Sequence, residues 1–336
     1  MRVLVLGGNR FMGRELVIAL AARGDKVTTL HRGSLPNALP APTAPRVEEL
    51  LADRTTAQLA QALAGREFDA VVDFCCFTAA DARGLLAALG GRARHLITIS
   101  TGQVYLVREG CPRPAREKDY EGSQIPAPSD PHDLENWSYG VAKREMEEAL
   151  AAAHGKDGLA VTRVRIPVVH GPRDNHRRLE SYLWRLLDGG PVILPDGGEK
   201  PMRPIASFDV AAALASWLLD ARTYGRAWNL AQDETPTLRE IVEGLAAAVG
   251  VPARIVCTAS ERLLAAGLPP QQISLLSTRW TSFLDATDAK TLLGFHPTPW
   301  TKTLERVATA LLAHPGTEPP PGYGHRPREL ALAGAM

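Results

Sequence analysis

Met1-Arg2-Val3-Leu4-Val5-Leu6-Gly7-Gly8-Asn9-Arg10-Phe11-Met12-Gly13 opens the chain, and its reading decides the fold class. Arg2 to Leu6 is a short Val- and Leu-rich run closed by glycines, the pattern of a parallel strand buried on both faces. From Phe11 to Arg23 the apolar residues Phe11, Leu16, Ala19, Leu20 and Ala22 fall at helical spacing, and Gly24 stands where that helix should end. A strand that passes through a glycine turn into a helix presents unpaired backbone N–H groups at the helix start, and these attract phosphate oxygens. Gly7 is expected to permit the tight turn, Gly8 to let the backbone approach phosphate, and Gly13 to let the helix pack closely. Asn9, Phe11 and Met12 complete the turn, with Arg10 placed to reach a phosphate or an adenine. The expected ligand is a dinucleotide.

Outward from that turn, Lys26 to Leu30 reads as the second strand and ends in His31-Arg32-Gly33. A carboxylate there would bond a ribose 2′-hydroxyl; none is present, and Arg32 beside His31 can fork onto a 2′-phosphate. NADP is favoured, with NAD left open. Val47–Leu51 leads to Asp53-Arg54, where Asp53 is placed to accept a bond from an adenine amino group. Further strands are expected at Ala70–Phe74, His95–Ser100 and Ala160–Ile166, separated by helices at Thr56–Ala64, Ala79–Leu89 and Tyr139–Ala153. This alternation predicts an α/β fold, a doubly wound parallel sheet (Rossmann) over residues 1–170. A smaller mixed α/β lobe is expected over 171–314, with helices at Asp209–Leu219, Leu238–Val249 and Thr301–Ala313 and with segments near 200–230 returning to the first domain. Residues 315–336 read as a Pro-rich tail, helical only around Arg328–Leu332.

With 336 residues, one large or two unequal domains are expected. A composition of 45% apolar and 22% charged residues excludes disorder for the bulk. Lys+Arg 38 against Asp+Glu 37 leaves a net charge of +1, which argues against a nucleic-acid partner and for a small-molecule substrate. Cys75, Cys76, Cys111 and Cys257 lack ligand spacing, so neither a disulfide framework nor a metal site is expected, and Cys75 and Cys76 read as packing residues. The opening apolar run is too short for a signal peptide, and no later one reaches membrane-span length; the expected location is cytoplasmic.

Ile99-Ser100-Thr101-Gly102-Gln103-Val104-Tyr105 ends the fifth strand, and Tyr139-Gly140-Val141-Ala142-Lys143 is expected to open a helix. Residues four apart share a helix face, so Lys143 should lie beside the Tyr139 phenol and lower its pKa from about 10. With the Thr101 hydroxyl, these groups would interconvert an alcohol and a ketone while hydride moves to or from a nicotinamide. His132-Asp133-Leu134-Glu135-Asn136-Trp137 reads as a solvated loop. The basic cluster His170, Arg173, Asp174, His176, Arg177 and Arg178 suits either an anionic substrate group or helix capping, and Trp184, Trp217 and Trp228 read as packing residues.

Gly7-Gly8…Phe11-Met12-Gly13, Asp53, Ser100-Thr101…Val104-Tyr105, Tyr139…Lys143, Arg165…Gly171-Pro172 and Arg203…Phe208-Asp209-Val210 together resemble an extended short-chain dehydrogenase/reductase, the group labelled NAD-dependent epimerase/dehydratase, over residues 1–310. The resemblance implies a triad of Thr101, Tyr139 and Lys143, with Lys143 also on the nicotinamide ribose. It also implies Phe74, Cys75 and Cys76 along the cofactor and Ser100 beside it, the Ile166-Pro167-Val168 backbone beside the nicotinamide, and pairing as a homodimer through Tyr139–Ala153. Arg203 would hold a substrate phosphate or serve structurally, and Gln103, His170 and Arg173 are further substrate candidates. The Arg10-Phe11 turn resembles a subgroup with isoflavone-reductase-like and chloroplast RNA-binding relatives. Gly102-Gln103 stands where sugar dehydratases carry an acidic pair, which disfavours dehydration. Two readings follow, an NAD(P)-dependent reductase or epimerase of a sugar-like or specialised-metabolite substrate, and a non-catalytic nucleotide- or RNA-binding module.

Overall fold

A computed structural model of the protein describes residues 1–34 and 39–335. In chain order the strands are β1 (Arg2–Leu6), β2 (Lys26–His31), β3 (Val47–Leu51), β4 (Phe68–Asp73), β5 (Ala93–Thr101), β6 (Ala160–Ile166), β7 (Val169–His170), β8 (Val192–Pro195), β9 (Ile205–Ala206), β10 (Ala227–Asn229) and β11 (Ile255–Thr258). The helices are α1 (Phe11–Arg23), α2 (Gln58–Leu63), α3 (Ala79–Leu89), α4 (Gln103–Leu106), α5 (Pro131–Ala151), α6 (Arg178–Leu187), α7 (Ser207–Trp217), α8 (Leu238–Val249), α9 (Ser260–Ala265), α10 (Pro270–Ile273), α11 (Thr287–Leu293), α12 (Trp300–Ala313) and α13 (Arg326–Gly334). The chain divides into two compact units, one of Met1–Pro167, Ser207–Ala231 and Ser282–His296, the other of Val168–Ala206, Gln232–Thr281 and Pro297–Met336.

In the first unit seven parallel strands take the order β10-β6-β5-β4-β1-β2-β3. Val3, Leu4 and Val5 are wholly buried, as an interior parallel strand requires. β1 pairs with β2 on one side (Leu4↔Thr28) and with β4 on the other (Leu4↔Val71). The chain reverses its direction of travel across the sheet between β1 and β4, so their carboxyl-end turns lie side by side, the place where open α/β sheets bind ligands. Leu4, Leu6, Val71, Leu85, Leu96 and Met146 pack α3 and α5 onto one face. Trp217 and Trp228 are buried with ring centroids 6.1 Å apart.

α5 differs most from the sequence expectation. It begins at Pro131, eight residues before Tyr139, so His132–Trp137 is helix and not loop. Asp130 accepts a bond from the Asp133 backbone N–H, and Pro131 takes the first-turn position where its missing N–H costs nothing.

In the second unit β8 pairs with β11 and β7 with β9, both in parallel. Its core is formed by Leu179, Tyr182, Leu183, Ile241, Leu245 and Leu304 from α6, α8 and α12. Arg185 of α6 is bidentate to Glu329 of α13 at 2.6 and 2.9 Å, and Arg326 is bidentate to Asp188, so the C-terminal segment is strapped to α6. Trp184 meets Tyr323 edge to face at 5.2 Å. Among the described residues no helix is long and apolar enough to cross a membrane.

Candidate functional site

The glycine turn is closed by contact. Gly7 has φ +78°, and a Cβ built on Gly13 would lie 2.2 Å from the Gly7 carbonyl oxygen, so α1 starts hard against the turn. The space a Gly8 Cβ would need is filled by Thr29 and Val17 methyls at 2.8 and 2.9 Å, so packing beneath the turn itself demands the glycine. Phe11 holds φ +43°, an uncommon conformation for a bulky residue, and its ring is buried. Asn9 is buried, Arg10 is exposed, and Met12 is half-buried. The first turn of α1 carries no carboxylate to oppose an anion.

At the end of β2, Arg32 is exposed and forms no hydrogen bond or ion pair with another described residue. His31 accepts the Gly33 N–H at Nδ1 and meets Glu49 Oε1 at 2.7 Å through Nε2. That contact corrects the expectation that no carboxylate stands here: β3 supplies one across the strand pair. Asp53 accepts both the backbone N–H and the hydroxyl of Thr55, which holds its carboxyl below the usual range. Arg54, expected at the cofactor, instead pairs with buried Asp73 at 2.8 Å and donates to the Asp81 carbonyl. Asp73 Oδ1 also accepts the Cys75 N–H, so this pair shapes the turn after β4.

That turn, Phe74-Cys75-Cys76-Phe77, joins the two halves of the site. Cys75 Sγ lies 2.6 Å from where a Gly7 Cβ would stand, and Phe74 Cβ 3.4 Å from it. On the other side the Cys76 carbonyl accepts the Lys143 ammonium at 2.5 Å. Burial pushes the thiols of Cys75 and Cys76 up to about 11 and about 12, so both remain protonated at neutral pH. Phe77, to which the sequence reading gave no role, is 50% exposed with the Lys143 ammonium 5.0 Å from its ring centre. An exposed aromatic beside a buried cation is visible only once the turn is folded.

Thr101 ends β5, and its hydroxyl lies near enough to the Tyr139 phenol to oppose the rise of the phenol's pKa. The Gln103 backbone N–H donates to Thr101 Oγ1 at 3.2 Å. Lys143 also donates to the Ile99 carbonyl at 3.0 Å and stands 5.9 Å from the Tyr139 ring centre. Tyr139 is 37% exposed. Burial of its phenol raises the pKa, with the Thr101 hydroxyl opposing, while burial lowers that of Lys143. The expected lowering of the Tyr139 pKa by Lys143 is therefore not found: the ammonium is turned to two carbonyls, and desolvation of the phenol prevails.

Ser100, placed beside the cofactor by resemblance, faces the opposite way and donates to buried Glu147 at 2.6 Å. Alternation along a strand sends neighbours to opposite faces, a signal that separates Ser100 from Thr101 in the sequence itself. The Ile166 carbonyl accepts the Gly102 N–H at 2.8 Å. A Cβ on Gly102 would lie 2.4 Å from Ser282 Cβ. Gln103 Nε2 donates to Asn136 Oδ1 at 3.0 Å, while its Oε1 is buried without a partner.

Val168, His170, Arg173 and Arg203 belong to the second unit. Val168 packs with the core of that unit, and Arg203 is half-buried. His170, expected on the substrate side, is fully buried against Trp300 at 5.9 Å with neither ring nitrogen bonded, and burial depresses its pKa to about 4. Arg173 is exposed at φ +62°. Most of the basic cluster is used structurally: Arg178 pairs with Asp174, and Arg177 with Glu180 and the carbonyls of Glu318 and Pro319.

The profile of the NAD dependent epimerase/dehydratase family matches residues 3–231. The chain is 29% identical over 290 residues to a 2′-dehydrokanamycin reductase of Streptomyces kanamyceticus, covering 85% of this chain and 77% of that protein. It is 24% identical over 261 residues to the chloroplast stem-loop binding protein of 41 kDa b of Arabidopsis thaliana, covering 75% and 64%. The fold is similar to that of a UDP-glucose 4-epimerase from Thermotoga maritima, with TM-score 0.72 at 19% identity over 93% of this chain and 99% of that one. With more than half its length matched and a doubly wound sheet carrying the glycine turn, the chain belongs to the NAD dependent epimerase/dehydratase family.

Proposed function

We propose that the protein reduces a ketone on a sugar-like or specialised-metabolite ring to a secondary alcohol. The observation that carries this reading is the convergence of the Thr101 hydroxyl, the Tyr139 phenol and the Lys143 ammonium beside the turn that touches Gly7. The cradle at Gly7 and Gly13, which any Cβ would fill, suits a dinucleotide pyrophosphate. Residues 7–13 would hold it, Asp53 the adenine and Lys143 the nicotinamide ribose, with Phe74, Cys75, Cys76 and Ile166 alongside. Arg32, exposed and with no hydrogen bond or ion pair to another described residue, favours NADP, although Glu49 tempers that preference. When bound, the nicotinamide supplies hydride.

The chain's own part is the proton. Tyr139 is neutral at pH 7 because burial raises its pKa, so it is an acid able to protonate a ketone oxygen. The Thr101 hydroxyl, which lowers the phenol's pKa against burial, stabilises the phenolate left behind. Lys143, held by the Cys76 and Ile99 carbonyls, adds a fixed positive field. The crowding of Gly102 against Ser282 leaves no room for an acidic side chain there, which supports reduction over dehydration. The reductase relative supports net reduction over epimerisation, and an aminoglycoside ketone is the first substrate to try. Gln103 is proposed to meet the substrate.

The test is turnover of 2′-dehydrokanamycin with NADPH and NADH in wild type and Tyr139→Phe. A loss of about 10²–10⁴-fold with cofactor binding intact is expected for removal of a general acid. The relative that binds stem-loops favours a second reading, a nucleic-acid module. Activity undiminished in Tyr139→Phe would reject Tyr139 as the proton donor, and activity absent altogether beside salt-sensitive RNA retention would put the second reading first.

A further inference from the structure

Three successive residues of β5 are gripped by three residues of α5 spaced four apart. The Thr101 hydroxyl faces the Tyr139 phenol closely enough to act on its pKa, the Ile99 carbonyl accepts Lys143, and the Ser100 hydroxyl donates to Glu147. Positions 139, 143 and 147 form one stripe of the helix. The first two contacts belong to the proposed chemistry; the third lies below it, wholly out of water.

Glu147 has more than one partner. Arg165 of β6, the cross-strand neighbour of Ser100, is bidentate to it at 2.6 and 3.0 Å. Burial would raise the Glu147 pKa, but Arg165 outweighs it and keeps the carboxylate charged, with Arg163 adding to the same field. The other arm of Arg165 donates to the Tyr105 hydroxyl at 2.7 Å, and that hydroxyl donates to Asn229 Oδ1 at 2.9 Å. Arg144 adds a bond to the Val104 carbonyl at 2.9 Å. The network thus clamps Ser100 on one side of Thr101 and α4 on the other. A buried ion pair with so many satisfied bonds contributes little net stability against an apolar replacement, while it specifies one register.

We propose that Glu147 is a positioning residue: by holding Ser100 and Arg165 together it locks the α5 stripe against β5 and sets the distance between Thr101 and Tyr139. The proposal rests on the reading of Tyr139 as the proton donor. Ser100→Ala removes one hydroxyl and leaves the Glu147–Arg165 pair; Glu147→Gln keeps the shape and removes the charge.

The experiment labels the six tyrosines with ¹³C at Cζ, assigns the Tyr139 signal by its absence in Tyr139→Phe, and titrates it in wild type and both variants. The Tyr139 midpoint is expected to rise by about 0.5–1 pH unit as the Thr101 hydroxyl draws away from the phenol. NADPH affinity should stay within about twofold, kcat on 2′-dehydrokanamycin should fall about tenfold at constant KM, and Ser100→Ala should cost nothing further in a Tyr139→Phe background. An unchanged Tyr139 midpoint in Ser100→Ala, together with a lowered Tm, would overturn the proposal and leave the network purely structural. Should Glu147→Gln fail to fold because Arg165 is left uncompensated, Ser100→Ala decides alone. The NMR readout needs no substrate, so full activity in Tyr139→Phe would reject the proton-donor reading without touching the positioning result.

Discussion

Tyr139 and Lys143 are shifted by the same burial in opposite senses, the phenol up and the ammonium down. Ketone reduction needs both the Tyr139 proton and the Lys143 charge, so it is expected to decline along an alkaline limb below about 10.5, the ordinary lysine value, because burial lowers the pKa of Lys143. A pH profile of kcat checks this; a limb above about 10.5 would show that the Lys143 charge is not what is lost. Arg32→Ala is expected to weaken NADPH by about 10–100-fold and leave NADH unchanged, read by nicotinamide fluorescence, because a charge-assisted phosphate contact is worth about 1.5–3 kcal/mol. Equal loss for both cofactors would remove Arg32 from the 2′-phosphate. His95 and His170 are both buried with pKa values depressed to about 4. The unfolded chain takes up these protons near pH 6.5 and the folded one only near 4, so their stabilising contribution is complete above 6.5 and is lost as pH falls through that window. Urea melts at pH 7 and pH 5 should differ for wild type and differ less for His170→Leu.

Helix α5 carries the proposed chemistry, and its first two turns are set by Asp130 and Pro131. Asp130→Ala is expected to cost about 1 kcal/mol, the usual value of an N-cap, with a matching fall in urea midpoint. Because Lys143, Arg144 and Glu147 anchor the later turns to β5 and α4, activity should survive that fraying. Helix α1 is less tolerant. Gly13→Ala forces a Cβ to within 2.2 Å of the Gly7 carbonyl, so α1 must retreat from the turn; loss of dinucleotide binding with a folded circular-dichroism spectrum is the expected outcome.

Across the full chain, the last twenty-three residues matter to stability through charge. Arg185 is 1% exposed and its partner Glu329 lies on α13. Ending the chain at Ala313 should cost about 3–5 kcal/mol, as removing one member of a buried pair does, and a thermal melt of the truncated protein measures it. Local pattern by itself determined the alternating strands and helices, the glycine turn, and the nomination of Thr101, Tyr139 and Lys143, because periodicity and a turn's need for glycine act over neighbouring residues. Partners distant in sequence were beyond it. Nothing near Arg54 announces Asp73, nothing near His31 announces Glu49, and Ser100 has its Glu147 forty-seven residues away. Whether a polar side chain is free to meet a ligand or already bound depends on which charges the sheet brings beside it. Burial then fixes the direction in which each titrates, and the tertiary structure alone decides both.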